Sequence, residues 1–276
     1  MAEETFYVHG TDPAEQKRLT ALNDLMNEAS LRELGLEPHE RALDVGAGLG
    51  QLTRAMARQT RVPVVGVERS AEQIAEGLRQ ARAAGEENLI DLRRGDAEKL
   101  PLANDEWGSF DVSHARFLLE HVRDPLVVVK AMVRAVRPGG RIVLEDDDHS
   151  LLRLWPEPRG VMPIWSAYMR TYDRAGNDPY VGRRLVQLLH QAGAVPRRNT
   201  WLFFGGCSGG PNFEGFVRNL ASILDGARGP ILATGFTDDE VTSAIDSLRS
   251  WEKRPDAGFW FAISWAAGVR PLGIAV

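Results

Sequence analysis

The stretch LDVGAGLGQL, residues 43–52, constrains this chain more than any other. An apolar run enters it, and Gly46, Gly48 and Gly50 follow at alternate positions. RALDVG reads as a buried strand, and the residues from about Gly50 to Gln59 as a helix. A strand that turns into a helix through closely spaced glycines lets a ligand approach the backbone, as nucleotide-like groups do at such turns. A tight turn with no ligand has the same spacing, so the surrounding segments must decide.

The alternation continues. VPVVGVE reads as a second strand, and Ser70 opens a helix to about Ala84. NLIDLRRGD is a third strand and SFDVSHA a fourth. A helix follows from about Asp124 to Val136, and RPGGRIVLED is a turn leading into a fifth strand. Strands and helices at this spacing predict βαβ units and a parallel sheet. Ahead of them, Leu19, Leu22, Leu25, Met26 and Ala29 recur at helical spacing between Pro13 and about Leu34, with Asp12 as N-cap. After Asp148 the pattern loosens. It still predicts helices at Val161–Arg174, Gly182–Ala192, Asn212–Leu224 and Thr237–Trp251, a sixth strand at RRNTWLFFGG and a last one at GFWFAISWAAG. No linker marks off a second domain. The 276 residues suit one α/β domain. Its expected parts are a helical N-terminal lid (1–35), a cofactor-binding half (40–150) and a substrate-side cap with the final strands (151–276).

Charge and composition remove several functions. A formal net charge of −5 gives no general attraction to nucleic acid. Cys207 is the only cysteine, so no internal disulfide forms, which fits a reducing cytoplasm. MAEETFYVHG lacks the blocks of a signal peptide, and no apolar run reaches the about 18 residues of a membrane span.

Chemistry enters through three acids. The glycines are spaced G-x-G-x-G, and Gln51 stands where a dinucleotide fingerprint needs Gly or Ala. Asp44, two residues before the first glycine, would repel a pyrophosphate and suits a positive or amino-bearing ligand. Glu68 ends the second strand, placed for ribose hydroxyls, and Asp96 ends the third, placed for an adenine amine. Each acid alone fits a solvated loop. Three at the carboxyl ends of successive strands fit the place where open α/β sheets bind ligands.

LDVGAGLG, VVGVE, RGDAEKLP, FDVSHARFLLEHVRDP and AVRPGGRIVLED together resemble the class I S-adenosylmethionine-dependent methyltransferases, over about residues 40–147. The resemblance implies a Rossmann-like, seven-stranded mixed α/β sheet with helices on both faces and a final antiparallel strand, for which GFWFAISWAAG is the candidate. It implies S-adenosylmethionine as cofactor, with S-adenosylhomocysteine as product. It also implies that Gly46, Gly48 and Gly50 let the backbone approach the methionine part, that Ala47 and Gln51 are cofactor-binding, and that Asp44 faces the amino group. Glu68 then takes the ribose, Asp96 and Ala97 border the adenine, Ala115 lies near the methionine end, and Arg69 and Glu98 are cofactor-binding. Arg116 follows toward the substrate; an arginine departs from the family's pattern there.

A sulfonium needs no activation, so the task is to hold a nucleophile in line at about 3 Å and exclude water. A base matters only when the acceptor must lose a proton. His114, Arg116, Glu145 and His149 are the candidates. LEDDDH, residues 144–149, also reads as a solvent-exposed acidic loop or, less well, as a divalent metal site; no second ligand set is found, so no metal is expected. Tyr7 and His9 precede the first helix and suit a lid over the cofactor or a plain terminus. Trp155, Trp165, Tyr168, Met169 and Tyr172, with Phe213 and Phe216, suit either core or a cap over an aromatic small molecule. The expected partner is thus a small-molecule methyl acceptor of secondary metabolism, with no nucleic acid and no membrane. A non-catalytic S-adenosylmethionine-binding regulatory or scaffold subunit is the alternative of a different class.

Overall fold

Why the chain folds as it does is clearest at the helix starts. Ser70 accepts from the Gln73 amide at 3.2 Å and opens the helix Ala71–Ala83. Asp124 accepts from Leu126 and Val127, with Pro125 next, and opens the helix Pro125–Ala135. Thr237 and Glu240 form a reciprocal capping box ahead of Asp238–Trp251. Each cap supplies an acceptor for an amide that the helix itself leaves unpaired.

The protein is described from a computed structural model that covers residues 26–211 and 213–272. The elements in order are α1 (26–34), β1 (Ala42–Val45), α2 (Gln51–Thr60), β2 (Val64–Glu68), α3 (Ala71–Ala83), β3 (Ile90–Arg94), β4 (Phe110–Arg116), α4 (Pro125–Ala135) and β5 (Val136–Asp147). Then come β6 (Arg153–Trp155), α5 (Val161–Ala175), α6 (Leu185–Gln191), β7 (Val195–Cys207), α7 (Phe213–Gly226), α8 (Arg228–Leu232), α9 (Asp238–Trp251) and β8 (Gly258–Val269). Asp12, Pro13, Tyr7, His9 and the beginning of the expected lid lie outside the described residues, as does Asn212. No helix among the described residues is long and apolar enough to cross a membrane.

Two compact units are interleaved along the chain. The described part of the larger comprises residues 26–147, Val181–Leu202 and 263–272. The smaller comprises Asp148–Tyr180 and Phe203–Ala262. β7 and β8 contribute residues to both.

In the larger unit the strand order is β3-β2-β1-β4-β5-β8. β3, β2, β1, β4 and β5 pair in parallel, and β8 runs antiparallel to β5 from Arg141↔Val269 to Asp147↔Ile263. The final antiparallel strand expected at GFWFAISWAAG is therefore present. Strand alternation sends Leu43, Val45, Ala115, Ile142 and Leu144 into one core with Val128 and Met132 of α4 and Leu185 and Leu189 of α6. It sends Asp44, His114, Arg116 and Glu145 to the opposite face.

In the smaller unit β6 pairs antiparallel with the start of β8, Arg153↔Trp260 to Trp155↔Gly258. This eighth strand and α8 go beyond the seven-stranded expectation. Three residues show no readable alternation, and RGPIL reads as a turn through its glycine and proline. The expected helix from Gly182 is also divided: a 3₁₀ turn at Val181–Arg184 precedes α6. The core of this unit gathers Trp165, Tyr168, Met169 and Tyr172 of α5 with Phe213, Val217, Val241 and Trp251. Phe216 stacks on Phe259 with centroids 3.7 Å apart. Of the two readings of the aromatic stripe, the structure thus places Trp165, Tyr168 and Tyr172 in core, whereas Trp155 is 67% exposed. The Tyr168 and Tyr172 hydroxyls share a hydrogen bond of 2.8 Å inside this core. Tyr168→Phe should therefore lower stability by about 1 kcal/mol, read as a lower urea midpoint with an unchanged slope.

Candidate functional site

The glycine turn leaves β1 with all three glycines in the left-handed region, at φ +79°, +56° and +66° for Gly46, Gly48 and Gly50. Side chains adopt that conformation at a cost, so the spacing follows from the backbone path. The amides of Gly46 and Ala47 both donate to the Val67 carbonyl, at 2.8 and 2.9 Å, and tie the turn to β2. Two further glycines, unnoticed in the sequence, let other elements close on it. A Cβ at Gly77 of α3 would lie 2.6 Å from the Leu49 carbonyl oxygen. One at Gly66 of β2 would lie 2.6 Å from Leu92 and 3.0 Å from the Ala47 methyl. Their signal was a single glycine inside a strand and a single glycine inside a helix. Gly77→Ala should push α3 off the turn. Its expected cost is roughly 1–3 kcal/mol of overpacking, more than the helix propensity gained, and thermal melting of the variant checks it.

Glu68 stands at the carboxyl end of β2 with its carboxylate already oriented. Oε2 accepts from the Gly48 amide at 3.0 Å, and Oε1 from the Arg69 and Ser70 amides at 2.8 Å each. Beyond β3, Asp96 is exposed, and its Oδ1 accepts from the Glu98 amide at 2.8 Å. A Cβ at Gly95 would lie 2.6 Å from the Pro101 ring, so the loop from Asp96 to Lys99 folds tightly back on itself. Gln51 donates to Gln80 at 3.3 Å. The sequence-predicted residues Gly46, Ala47, Gly48, Gly50, Gln51, Glu68, Arg69, Asp96, Ala97 and Glu98 therefore gather at the carboxyl ends of β1, β2 and β3.

A different arrangement governs Asp44, His114, Arg116 and Glu145. Asp44 lies opposite His114 in the β1/β4 register, and Arg116 opposite Glu145 in β4/β5. His114 Nδ1 is 2.9 Å from Asp44 Oδ1, and its Nε2 is 3.4 Å from Glu145 Oε1. Thr53 of α2 donates to Asp44 at 2.6 Å, and Ser30 of α1 to Glu145 at 2.6 Å. Arg116 donates to Ser30 at 3.0 Å and to Asn27 at 2.8 Å. His114 and Glu145 are fully buried, and Asp44 and Arg116 nearly so. Burial opposes the charged form of His114, but the hydrogen bonds to Asp44 and Glu145 and their charges outweigh it and raise its pKa to about 9. Burial likewise opposes Asp44 and Glu145, yet their bonds to His114 hold both below the usual carboxylate range. At neutral pH the group thus holds two anions and two cations. An imidazolium with both N–H groups committed cannot take up a proton.

LEDDDH is not a solvated loop. Glu145, Asp146, Asp147 and Asp148 are all buried. Asp146 accepts from the amides of Leu118, Leu119 and Asp147, at 3.1, 2.7 and 3.0 Å. Burial, then the charges of Glu120 and Asp147, push its pKa well up. It shapes the turn after β4, where Phe117 takes φ +52°. Sequence reasoning missed this role. Ala115 faces the opposite, apolar side. His149 belongs to the smaller unit: its carbonyl accepts from Trp165 Nε1 at 2.9 Å, and its Nε2 lies 3.4 Å from the Tyr172 hydroxyl.

Residues 43–144 match a family model described as a methyltransferase domain. A ubiquinone biosynthesis O-methyltransferase of Xanthomonas oryzae pv. oryzae is 35% identical over 130 residues, 47% of this chain and 52% of that protein. The chain spans about half the length of the curated relatives it matches first. Among solved structures, the [4+2]-cyclase SpnF aligns at a TM-score of 0.57 and 22% identity, over 91% of this chain and 82% of that one. A geranyl diphosphate methyltransferase solved in complex with S-adenosylmethionine aligns at 0.56 and 19%, over 94% and 91%. These two likenesses are of fold.

Proposed function

We propose, on the premise that residues 43–144 are a class I, Rossmann-like methyltransferase domain, that this chain transfers a methyl group to a small, partly aromatic or apolar metabolite. S-adenosylmethionine is the cofactor, and when bound it supplies an electrophilic methyl on sulfur. The observation that carries the reading is Glu68, a carboxylate fixed by three backbone amides beside the open turn of Gly48. A Cβ at Gly48 would meet a single heavy atom within 4 Å, Gln73 Oε1, so glycine leaves the space above the turn free. A carboxylate beside that turn, with lone pairs left over from its three amides, suits two ribose hydroxyls, and Asp96 suits an exocyclic amine. Neither suits a pyrophosphate, and 43–52 holds no cationic side chain to offset them.

In this reading the chain's own residues bind, orient and exclude water. The glycine turn gives the cofactor a close approach to the backbone, and Glu68 orients its ribose. His114, as a buried imidazolium, is not a base at neutral pH, and Glu145 is committed to His114 and Ser30. A relative named for ubiquinone biosynthesis favours a small acceptor. The fold alone does not select methyl transfer, since a neighbour of the same fold is a [4+2]-cyclase. The assay must therefore follow the methyl itself. With methyl-labelled S-adenosylmethionine and a panel of phenols, amines and apolar alcohols, label should enter a small acceptor. Cofactor binding without transfer to any small acceptor would favour the regulatory alternative.

A further inference from the structure

Counting from the helix that follows the glycine turn, six hydrogen bonds run unbroken to the helix that precedes β1. Thr53 of α2 joins Asp44 of β1, Asp44 joins His114 of β4, and His114 joins Glu145 of β5. Glu145 then joins Ser30 of α1, Ser30 joins Arg116, and Arg116 joins Asn27 of α1. Asp44 stands two residues before Gly46 and Thr53 three after Gly50, so one end of the chain of bonds brackets the turn. The other end fastens α1. The members lie on β1, β4 and β5 at one face of the sheet, all in the larger unit.

We propose that His114 is a positioning residue: as the cation shared by Asp44 and Glu145, it sets the shape of the glycine turn and the docking of α1 together. The proposal rests on the cofactor reading for the turn's ligand, and on geometry alone for α1. Its physical basis is charge balance in a medium that screens little. With His114 protonated, the two carboxylates are matched by His114 and Arg116. With His114 neutral, one buried negative charge is unmatched, and such a charge costs several kcal/mol unless the structure opens to water. Asp44 and Glu145 act on His114 through hydrogen bonds and charge, and Arg116 acts on both carboxylates. Thr53, Ser30 and Asn27 face the same cluster but do not titrate.

The sign follows. The folded-state pKa of about 9 lies above the ordinary 6.5, so the contribution is complete below about pH 6.5 and lost as pH rises through about 9. Two readouts should then fail together at alkaline pH: affinity for the turn's ligand and protection of the α1 amides.

The test uses S-adenosylhomocysteine titrated by calorimetry between pH 6.5 and 10, and hydrogen exchange of residues 26–34 without ligand over the same range. The wild-type chain should hold its affinity to about pH 8 and lose at least tenfold by pH 10. Exchange in α1 should rise with the same midpoint. In Glu145→Gln both midpoints should move down by at least one pH unit, because His114 has lost one anionic partner. His114→Gln, which keeps a hydrogen bond but no charge, should bind about tenfold more weakly at pH 7 and lack the alkaline step in α1. The ligand's own amine titrates identically with every variant, so the displacement between profiles reads the protein. Folded variants whose affinity profile and α1 protection both coincide with wild type would overturn the proposal. Absence of any S-adenosylhomocysteine binding would overturn the cofactor reading, while the α1 arm would still decide the role of His114.

Discussion

Glu145→Ala should lower the free energy of unfolding by about 3 kcal/mol at pH 7, measured by urea titration with circular dichroism. The side chain is fully buried, so its removal leaves a cavity as well as two orphaned partners. Ser30 loses the acceptor 2.6 Å from its hydroxyl, and His114 loses one of its two anions. Breaking a buried pair costs roughly 3–5 kcal/mol. The lower figure applies because His114 can shed its proton in the variant, leaving Arg116 balanced by Asp44. That relief has a signature: the variant should show little further loss of stability between pH 7 and 10, where the wild type weakens. A variant as stable as wild type would mean that the cluster contributes nothing to holding α1 and the sheet together.

Glu68→Ala should weaken S-adenosylhomocysteine binding roughly a hundredfold. Two charged hydrogen bonds to ribose hydroxyls, at the lower figure of about 1.5 kcal/mol each, give about 3 kcal/mol, which is that factor in Kd. The same truncation frees the amides of Gly48, Arg69 and Ser70, so the turn loses its template as well as its ligand contact. Stability should change little, because the carboxylate is half-exposed and water replaces it. Titration calorimetry separates the two effects. Unchanged affinity with a normal fold would remove Glu68 from the ribose.

The strands that build the larger unit were legible because each is a short apolar run closed by glycine, proline or an acid, as in LDVG and VVGVE. The caps Ser70, Asp124 and Thr237 were legible for the same local reason. What escaped depends on register and long-range packing. Alternation put His114 and Arg116 on one face, but nothing local pairs His114 with Asp44, 70 residues away, or Glu145 with Ser30, 115 residues away. The acidic run read as solvated because four carboxyls in sequence seldom find buried partners, and here Asp146 finds three amides. The aromatic stripe of α5 has one spacing for core and cap alike, so only burial distinguishes them. Interleaved units leave no linker, since the described chain visits each more than once.

One measurement bears most directly on the central claim, that the glycine turn and its acids hold S-adenosylmethionine and not a dinucleotide. Purified chain is titrated calorimetrically at pH 7 with S-adenosylhomocysteine and, separately, with NAD. Saturable heat with S-adenosylhomocysteine, about a hundredfold weaker in Glu68→Ala, and none with NAD is the result expected from Gln51 and Glu68 as they stand. Saturable binding of NAD, with no heat from S-adenosylhomocysteine, would contradict it.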